Sequence, residues 1–298
     1  MAVCISRSRG FDVYNETMTR CIANNDALKD AIRLFHKWTF VDRIAPSAAD
    51  VASMNVDSGF GGGDLSNFIS GRYAMVVMGR YCLIRFREVQ AARNMTIQFS
   101  LSQLPMYEYK NQPLSVRAAM PYRGSRHPEL TKLFLQFLAS KAYNQYIVEN
   151  SDGLPPNPTV VSSEIKEIAL TRPNEHDSSE REFSLACTIG LPKYFSPYAK
   201  TGSTNWLQNG INRYFNDRSS LDETLEYIET RYNSEIEISK QANPAMRKAW
   251  EEDWALQQKI DACKKEGKKI PAEWIRNPFY RKYYHDRGML EEPSPRGE

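Results

Sequence analysis

Long hydrophobic runs are missing from this chain of 298 residues. None approaches the ~20 apolar residues that a membrane-spanning helix needs. An excess of one charge is missing as well. Lys and Arg total 39 against 36 for Asp and Glu, a net charge of +3. That balance argues against a dedicated nucleic-acid binder, in which a basic excess or stripe is expected. Cysteine is scarce, and Cys4, Cys21, Cys82, Cys187 and Cys263 are odd in number, widely spaced and without a Cys-x-x-Cys pair. Neither a zinc site nor a disulfide scaffold is expected from them. His36, His127, His176 and His285 show no metal-ligand spacing, so no metal and no cofactor is expected. Walker, Gly-x-Ser-x-Gly and His-Glu-x-x-His signatures are absent. Gly59-Phe-Gly-Gly-Gly lacks the Lys-Ser/Thr of a phosphate loop and reads as a flexible surface loop. The first ten residues hold no apolar signal segment.

What is present is an ordinary globular composition, 41% hydrophobic and 25% charged, long enough for two domains or one large one. Residues 11–22 read as a short exposed or edge strand. A helix follows, capped by Asn24 or Asn25, with Leu28, Ala31, Ile32, Phe35 and Trp38 on one face. Asp64 can cap a helical turn that ends at Gly71, a residue suited to the left-handed position past a helix. The run Tyr73 to Met78 reads as a buried strand, and a helix is expected from Tyr81 to about Ala92. Residues 95–104 alternate apolar and polar like a strand, then 106–115 form a polar connection and 116–121 a further strand. Strand, helix, strand in this order is an α/β pattern. Pro128 opens a helix to about Glu149 whose expected buried face is Leu130, Leu133, Phe134, Phe137 and Leu138. Helices at about 162–170, 203–216 and 219–240 follow, the last with the capping pattern Ser220-x-x-Glu223. Beyond Asn243 the chain is charged and helical, then dense in aromatic and basic residues, and the last eight residues read as disordered. The bland reading of this tail is that Trp250, Trp254, Ile260, Trp274, Ile275 and Phe279 fold back on the lobe.

The aromatic supply, 16 Tyr, 13 Phe and 5 Trp, suits a sugar cleft, because pyranose C–H faces pack on rings while hydroxyls take directed hydrogen bonds. Phe68-x-Ser70-Gly71-Arg72-x-Ala74-Met75-x-x-x-Gly79-x-Tyr81 resembles the central motif of family-1 bacterial extracellular solute-binding proteins, the carbohydrate-type receptors of ABC importers. In the same order, Leu104-Pro105, Ser125-Arg-His-Pro-Glu-Leu, Gly153-Leu-Pro-Pro-Asn and Ser220-Leu-Asp-Glu-Thr-Leu resemble further motifs of that family.

The resemblance implies an α/β, periplasmic-binding-protein-like (type II) fold, in which ligand is held between two lobes that close by hinge motion. It divides the chain into a C-terminal-lobe first part (11–115), an N-terminal-lobe remnant (116–158), a C-terminal-lobe second part (159–242) and a helical extension with a disordered end (243–298). Most of the N-terminal lobe and the signal peptide have no counterpart here. A truncated reading frame, a gene fragment or half of a split protein is therefore expected, with weak sugar binding. Tyr81 falls where family members place a ring that stacks on sugar; Trp206 is a second candidate, and Tyr109 and Tyr122 flank the crossing between lobes. Arg117 stands where a small residue is expected, and it suits an acidic or hydroxyl-rich ligand, a carboxylate partner or solvent. The function implied is non-catalytic capture of a solute, a sugar or oligosaccharide, by a periplasmic or extracellular monomer that serves membrane permease subunits and binds no nucleic acid. A carbohydrate-active enzyme with an aromatic cleft, which would show a facing pair of carboxylates, and a non-functional fragment are the alternatives. An exposed apolar patch around Leu133, Phe134 and Phe137 would favour the last.

Overall fold

The computed structural model describes residues 1–54, 62–94, 96–115, 119–150, 153–154, 185–192, 195–199 and 205–291. By contact the chain divides into two units: Met1–Arg43, Leu104–Ser115 and Ile189–Glu298 form the first, Ile44–Gln103 and Val116–Thr188 the second. These boundaries cut across those read from the sequence, since residues 44–103 group with 116–188.

The first unit is helical for local reasons that the sequence displays. Helix α1 (Ala2–Ser8) leads into an irregular segment, and α2 (Asp26–His36) begins where Asn25 Oδ1 accepts from Leu28 N at 2.9 Å. Ala27, Leu28, Ala31 and Ile32 are buried on one α2 face, with Phe35 and Trp38 packed beside them. The helix continues as one π-turn, Lys37–Val41. In the second half of the unit we number the helices α8 (Trp206–Phe215), α9 (Leu221–Ala242), α10 (Pro244–Glu266) and α11 (Pro278–Asp286). Helix α9 starts in the expected capping box, Ser220 with Glu223. Helix α10 is capped by Asn243, has Pro244 in its first turn and stops at Gly267, whose φ of +67 suits glycine. Helices α8 and α9 pack closely enough at Gly210 that a Cβ there would sit 2.5 Å from Ile228 Cγ1.

Residues 11–22 are not an exposed or edge strand. They carry one antiparallel bridge, Tyr14 with Cys21, and most are buried. Val13, Tyr14, Met18 and Cys21 enter the core against α2 and α9. Their polar neighbours are satisfied both locally and by the far end of the chain. Arg7 pairs with Asp12 through two hydrogen bonds of 3.0 and 3.1 Å. Glu16 accepts from Lys264, Tyr284 and Gln257, and Thr17 donates to Gln257. Ile260, Ile270, Ile275, Phe279, Tyr280 and Tyr284 form a second apolar cluster, and Trp250 joins the first. Within residues 244–291 the segment thus contributes Trp250, Ile260, Ile270, Ile275, Phe279, Tyr280 and Tyr284 to packed apolar clusters. The described residues hold a single sheet, β1 (Gln112–Leu114) parallel to β2 (Gly190–Pro192), where the sequence showed only a polar connection.

In the second unit, α3 (Ala48–Ser53) opens with a Ser47–Asp50 capping box. Helix α4 (Gly62–Ile69) ends before Gly71 at φ +77, as expected. Helix α5 (Cys82–Arg93) packs Leu83, Phe86 and Val89 against Leu65 and Ile97. The expected strand at 73–78 is absent: Met75 is 86% and Val77 54% exposed. Residues 97–101 do alternate inward and outward, with Ile97 buried and Phe99 against the core, but they form no strand with another segment among the described residues. The expected 128–149 helix is two, α6 (Pro128–Leu138) and α7 (Lys141–Asn150). Its expected buried face is open, with Leu130 62%, Leu133 60%, Phe134 58% and Phe137 50% exposed. Residues 119–121 form no strand; the rest of that expected strand, the 162–170 helix and the Gly59–Gly61 part of the glycine loop lie outside the described residues.

Candidate functional site

Trp206 is the expected site residue with the most developed surroundings. It occupies the first position of α8, which Asn205 caps by accepting from Gln208 N at 3.2 Å. Its indole Nε1 donates to Glu235 Oε1 at 2.6 Å, which fixes the ring plane. The Tyr227 ring meets the indole edge-on, with centroids 6.1 Å apart. The Arg231 guanidinium carbon lies 5.3 Å from the centroids of both rings, and that of Arg213 lies 4.6 Å from Tyr227. Behind this layer, Leu207 N donates to the Tyr232 hydroxyl, and Tyr232 meets Tyr14 edge-on at 5.9 Å. Burial pushes the Tyr232 hydroxyl above its ordinary pKa, so this layer stays protonated and neutral. Glu235 Oε2 is buried with no hydrogen-bond partner among the described residues. On the outer face of α9, Glu223, Glu226, Tyr227, Thr230 and Arg231 line an open groove.

Tyr227, Arg231 and Glu235 were not singled out from sequence, yet a signal for them exists. They stand four residues apart on α9 and therefore share one helix face. Arg213 reaches the same face from α8 through the close α8–α9 approach at Gly210.

The other expected residues lie elsewhere. Tyr109 belongs to the second apolar cluster: its hydroxyl donates to Asp286 Oδ2 at 2.9 Å and its ring meets Phe279 and Tyr283 edge-on. Burial, then Asp286, pushes its pKa up. No ring contact or hydrogen bond joins it to Trp206 among the described residues. Tyr81 is half-buried at the cap of α5 and Tyr122 is 78% exposed, both in the second unit. Tyr122 folds over Gly124, where a Cβ would stand 2.8 Å from its ring. Arg117 lies outside the described residues.

The buried carboxylates Asp12, Glu16 and Asp253 face the cations Arg7, Lys264 and Arg276. Among the described residues, no group of three or more His, Cys, Asp and Glu side chains is placed to hold a metal, and no helix is long and apolar enough to cross a membrane.

No family model and no curated protein matches this sequence. Solved structures do. The chain is similar to the ABC substrate-binding protein Lmo0181 from Listeria monocytogenes in complex with cycloalternan. That match has 16% identity and a TM-score of 0.58, covering 78% of this chain and 55% of the other. It is also similar to maltose-bound MalE3 of T. maritima, at 14% identity and a TM-score of 0.55, covering 78% of this chain and 56% of that one. The fold is therefore α/β and periplasmic-binding-protein-like. The chain spans about half the length of these two proteins.

Proposed function

We propose that the chain is a non-catalytic, carbohydrate-type solute-binding protein of the family-1 kind, working outside the cytoplasm with the permease subunits of an ABC importer. The observation that carries this is the Trp206 face: an indole locked by Glu235, beside a second ring, in a fold shared with proteins bound to cycloalternan and maltose. The part of the half-buried indole that the core and Arg231 leave open offers apolar surface to a pyranose, and the surrounding polar groups offer hydrogen bonds. In this reading 11–115 and 159–242 belong to one lobe, 116–158 to the other, and 243–298 is an addition. Tyr81, Tyr109, Tyr122 and Arg117 remain second-rank candidates, of which Tyr109 has its hydroxyl already committed to Asp286. The chain then supplies one wall of a cleft, so sugar binds it weakly, at about millimolar Kd, or about 4 kcal/mol. The buried carboxylates that face cations rather than each other do not support the enzyme alternative.

Titration of the chain with maltose and with cycloalternan, read by tryptophan fluorescence, tests the proposal. Saturable millimolar binding that Trp206→Ala abolishes is the expected result. No response to either sugar, or a response unchanged in Trp206→Ala, overturns it.

A further inference from the structure

We propose that Arg231 is a displaceable cover on the Trp206 indole: a saccharide must push its guanidinium aside to stack there, so Arg231 limits how tightly sugar binds. This deepens the function proposed above and rests on it. The half-buried indole packs against the core cluster of the first unit, and its N–H is committed to Glu235. Tyr227 meets it edge-on. Arg231 stands over it, with the guanidinium carbon 5.3 Å from the ring centroid. Because Arg231 is itself exposed, the guanidinium reaches the ring from the solvent side. A sugar carbon in contact with the indole would stand about 3.5–4.0 Å from the ring carbons. The guanidinium occupies that same layer, so the two cannot share one patch of ring.

Platform and cover are held differently. The platform is fixed by the core and by the 2.6 Å bond to Glu235. The cover rests on ring contacts, to Trp206 and, at the same 5.3 Å, to Tyr227, and a cation over a ring at an exposed site is a weak contact. Its backbone stays in place, since Arg231 lies in the middle of α9 beside the buried Tyr232. Uncovering is therefore a change of side-chain rotamer, which exposed residues make in picoseconds to nanoseconds. Off the indole, the side chain has the groove on the outer face of α9, which it lines together with Glu226 and Thr230. The carboxylate there gives the displaced cation an alternative partner.

Sugar then shifts an equilibrium between covered and uncovered indole, and each bound molecule forfeits the contact between Arg231 and the ring. The sign of the effect is distinctive. Removing a side chain that grips the ligand weakens binding, whereas removing a cover strengthens it.

The test uses the full chain and two readouts. The first needs no sugar: acrylamide quenching of tryptophan fluorescence. Arg231→Ala should raise the quenching, and the rise should vanish when Trp206→Phe is added, which assigns it to this indole among the five. The second is calorimetry with maltose. Arg231→Ala should bind about two- to fivefold more tightly than wild type, the size of one exposed cation–ring contact, while Arg231→Lys, which keeps a cation there, stays near wild type. Arg231→Gln carries both readouts if Arg231→Ala does not fold by circular dichroism. Unchanged quenching overturns the cover. Raised quenching with unchanged or weaker maltose binding overturns the competition and leaves the receptor reading intact. If neither wild type nor Arg231→Ala binds maltose at about 10 mM, ten times the expected Kd, the receptor reading itself falls and takes this inference with it.

Discussion

Asn277 Nδ2 donates to Asp12 Oδ2 at 3.0 Å, joining two buried residues that lie 265 positions apart. The same amide reaches the carbonyl of Tyr14, while Asn277 Oδ1 accepts from Phe279 N and so caps α11. One side chain thereby serves an ion-paired acid, a loop carbonyl and a helix start.

Asn277→Ala removes all three services at once; Asp12 Oδ2 keeps its bond from Arg7, while the Tyr14 carbonyl and the Phe279 N–H lose this partner. Unsatisfied buried groups cost about 1–3 kcal/mol each, so a loss of about 3 kcal/mol is expected after partial relaxation. Urea unfolding should show a lower midpoint at unchanged slope. A midpoint within error of wild type would show that the network is not closed as described.

Glu16 makes stability depend on pH. Burial alone would raise its pKa, but the Lys264 charge and the hydrogen bonds from Lys264, Tyr284 and Gln257 outweigh it and hold the carboxyl below its ordinary 4.5. A carboxyl depressed in the folded state contributes stability above its unfolded pKa, and that contribution is lost as pH falls through the folded value. Glu16→Gln should therefore be less stable than wild type near neutrality by about 1–3 kcal/mol. The gap should close below about pH 4. Thermal melts of both proteins from pH 7 to pH 3 check it; a gap that does not narrow with acid counts against the ion pair.

Gly210→Ala forces a methyl group against Ile228, whose side-chain carbons lie 2.5 and 2.7 Å from the added position. Overpacking of this kind costs about 1–3 kcal/mol. Trimming the obstacle in Gly210→Ala/Ile228→Ala should recover part of that loss relative to the sum of the single changes. Because Gly210 sets the α8–α9 spacing, the single variant should also change Trp206 fluorescence.

Two amphipathic helices with similar sequence patterns should respond oppositely to mutation. Leu28→Ala on α2, at a fully buried position, should cost about 2–5 kcal/mol. Leu133→Gln and Phe134→Gln on α6, at 60% and 58% exposure, should shift stability by less than about 0.5 kcal/mol each. Chemical denaturation of the three variants decides it, and a large cost at Leu133 or Phe134 would mean that this face is covered in solution.

The pattern of success and failure in reading the sequence follows from range. Helix starts were legible because a cap is a contact over three residues: Asn25 to Leu28, Ser220 to Glu223, Pro128 in a first turn. Strands were not, because a ladder needs a distant partner. The alternation at 97–101 correctly placed Ile97 inward, yet nothing local says whether a second strand lies alongside. The strands that do pair are three residues long and hold Pro113 and Pro192, so they carry no strand signature. The Glu16–Gln257–Lys264 cluster was equally hidden, since polar residues some 240 positions apart show no spacing. At the site, Trp206 was visible as a lone aromatic at a helix start. Arg231 shares a helix face with Tyr227 and Glu235, whereas Arg213 joins them only through the packing of α8 on α9.

The joining of Asp12 to Asn277 also sets a schedule. A ribosome adding about 5–20 residues per second needs roughly 13–53 s to travel the 265 positions between them. Throughout that interval Asp12 has emerged without Asn277, the partner that completes its burial. The first unit therefore closes only after translation of α11, and a ribosome stalled before residue 277 leaves a nascent chain whose opening segment is still open to chaperones and proteases.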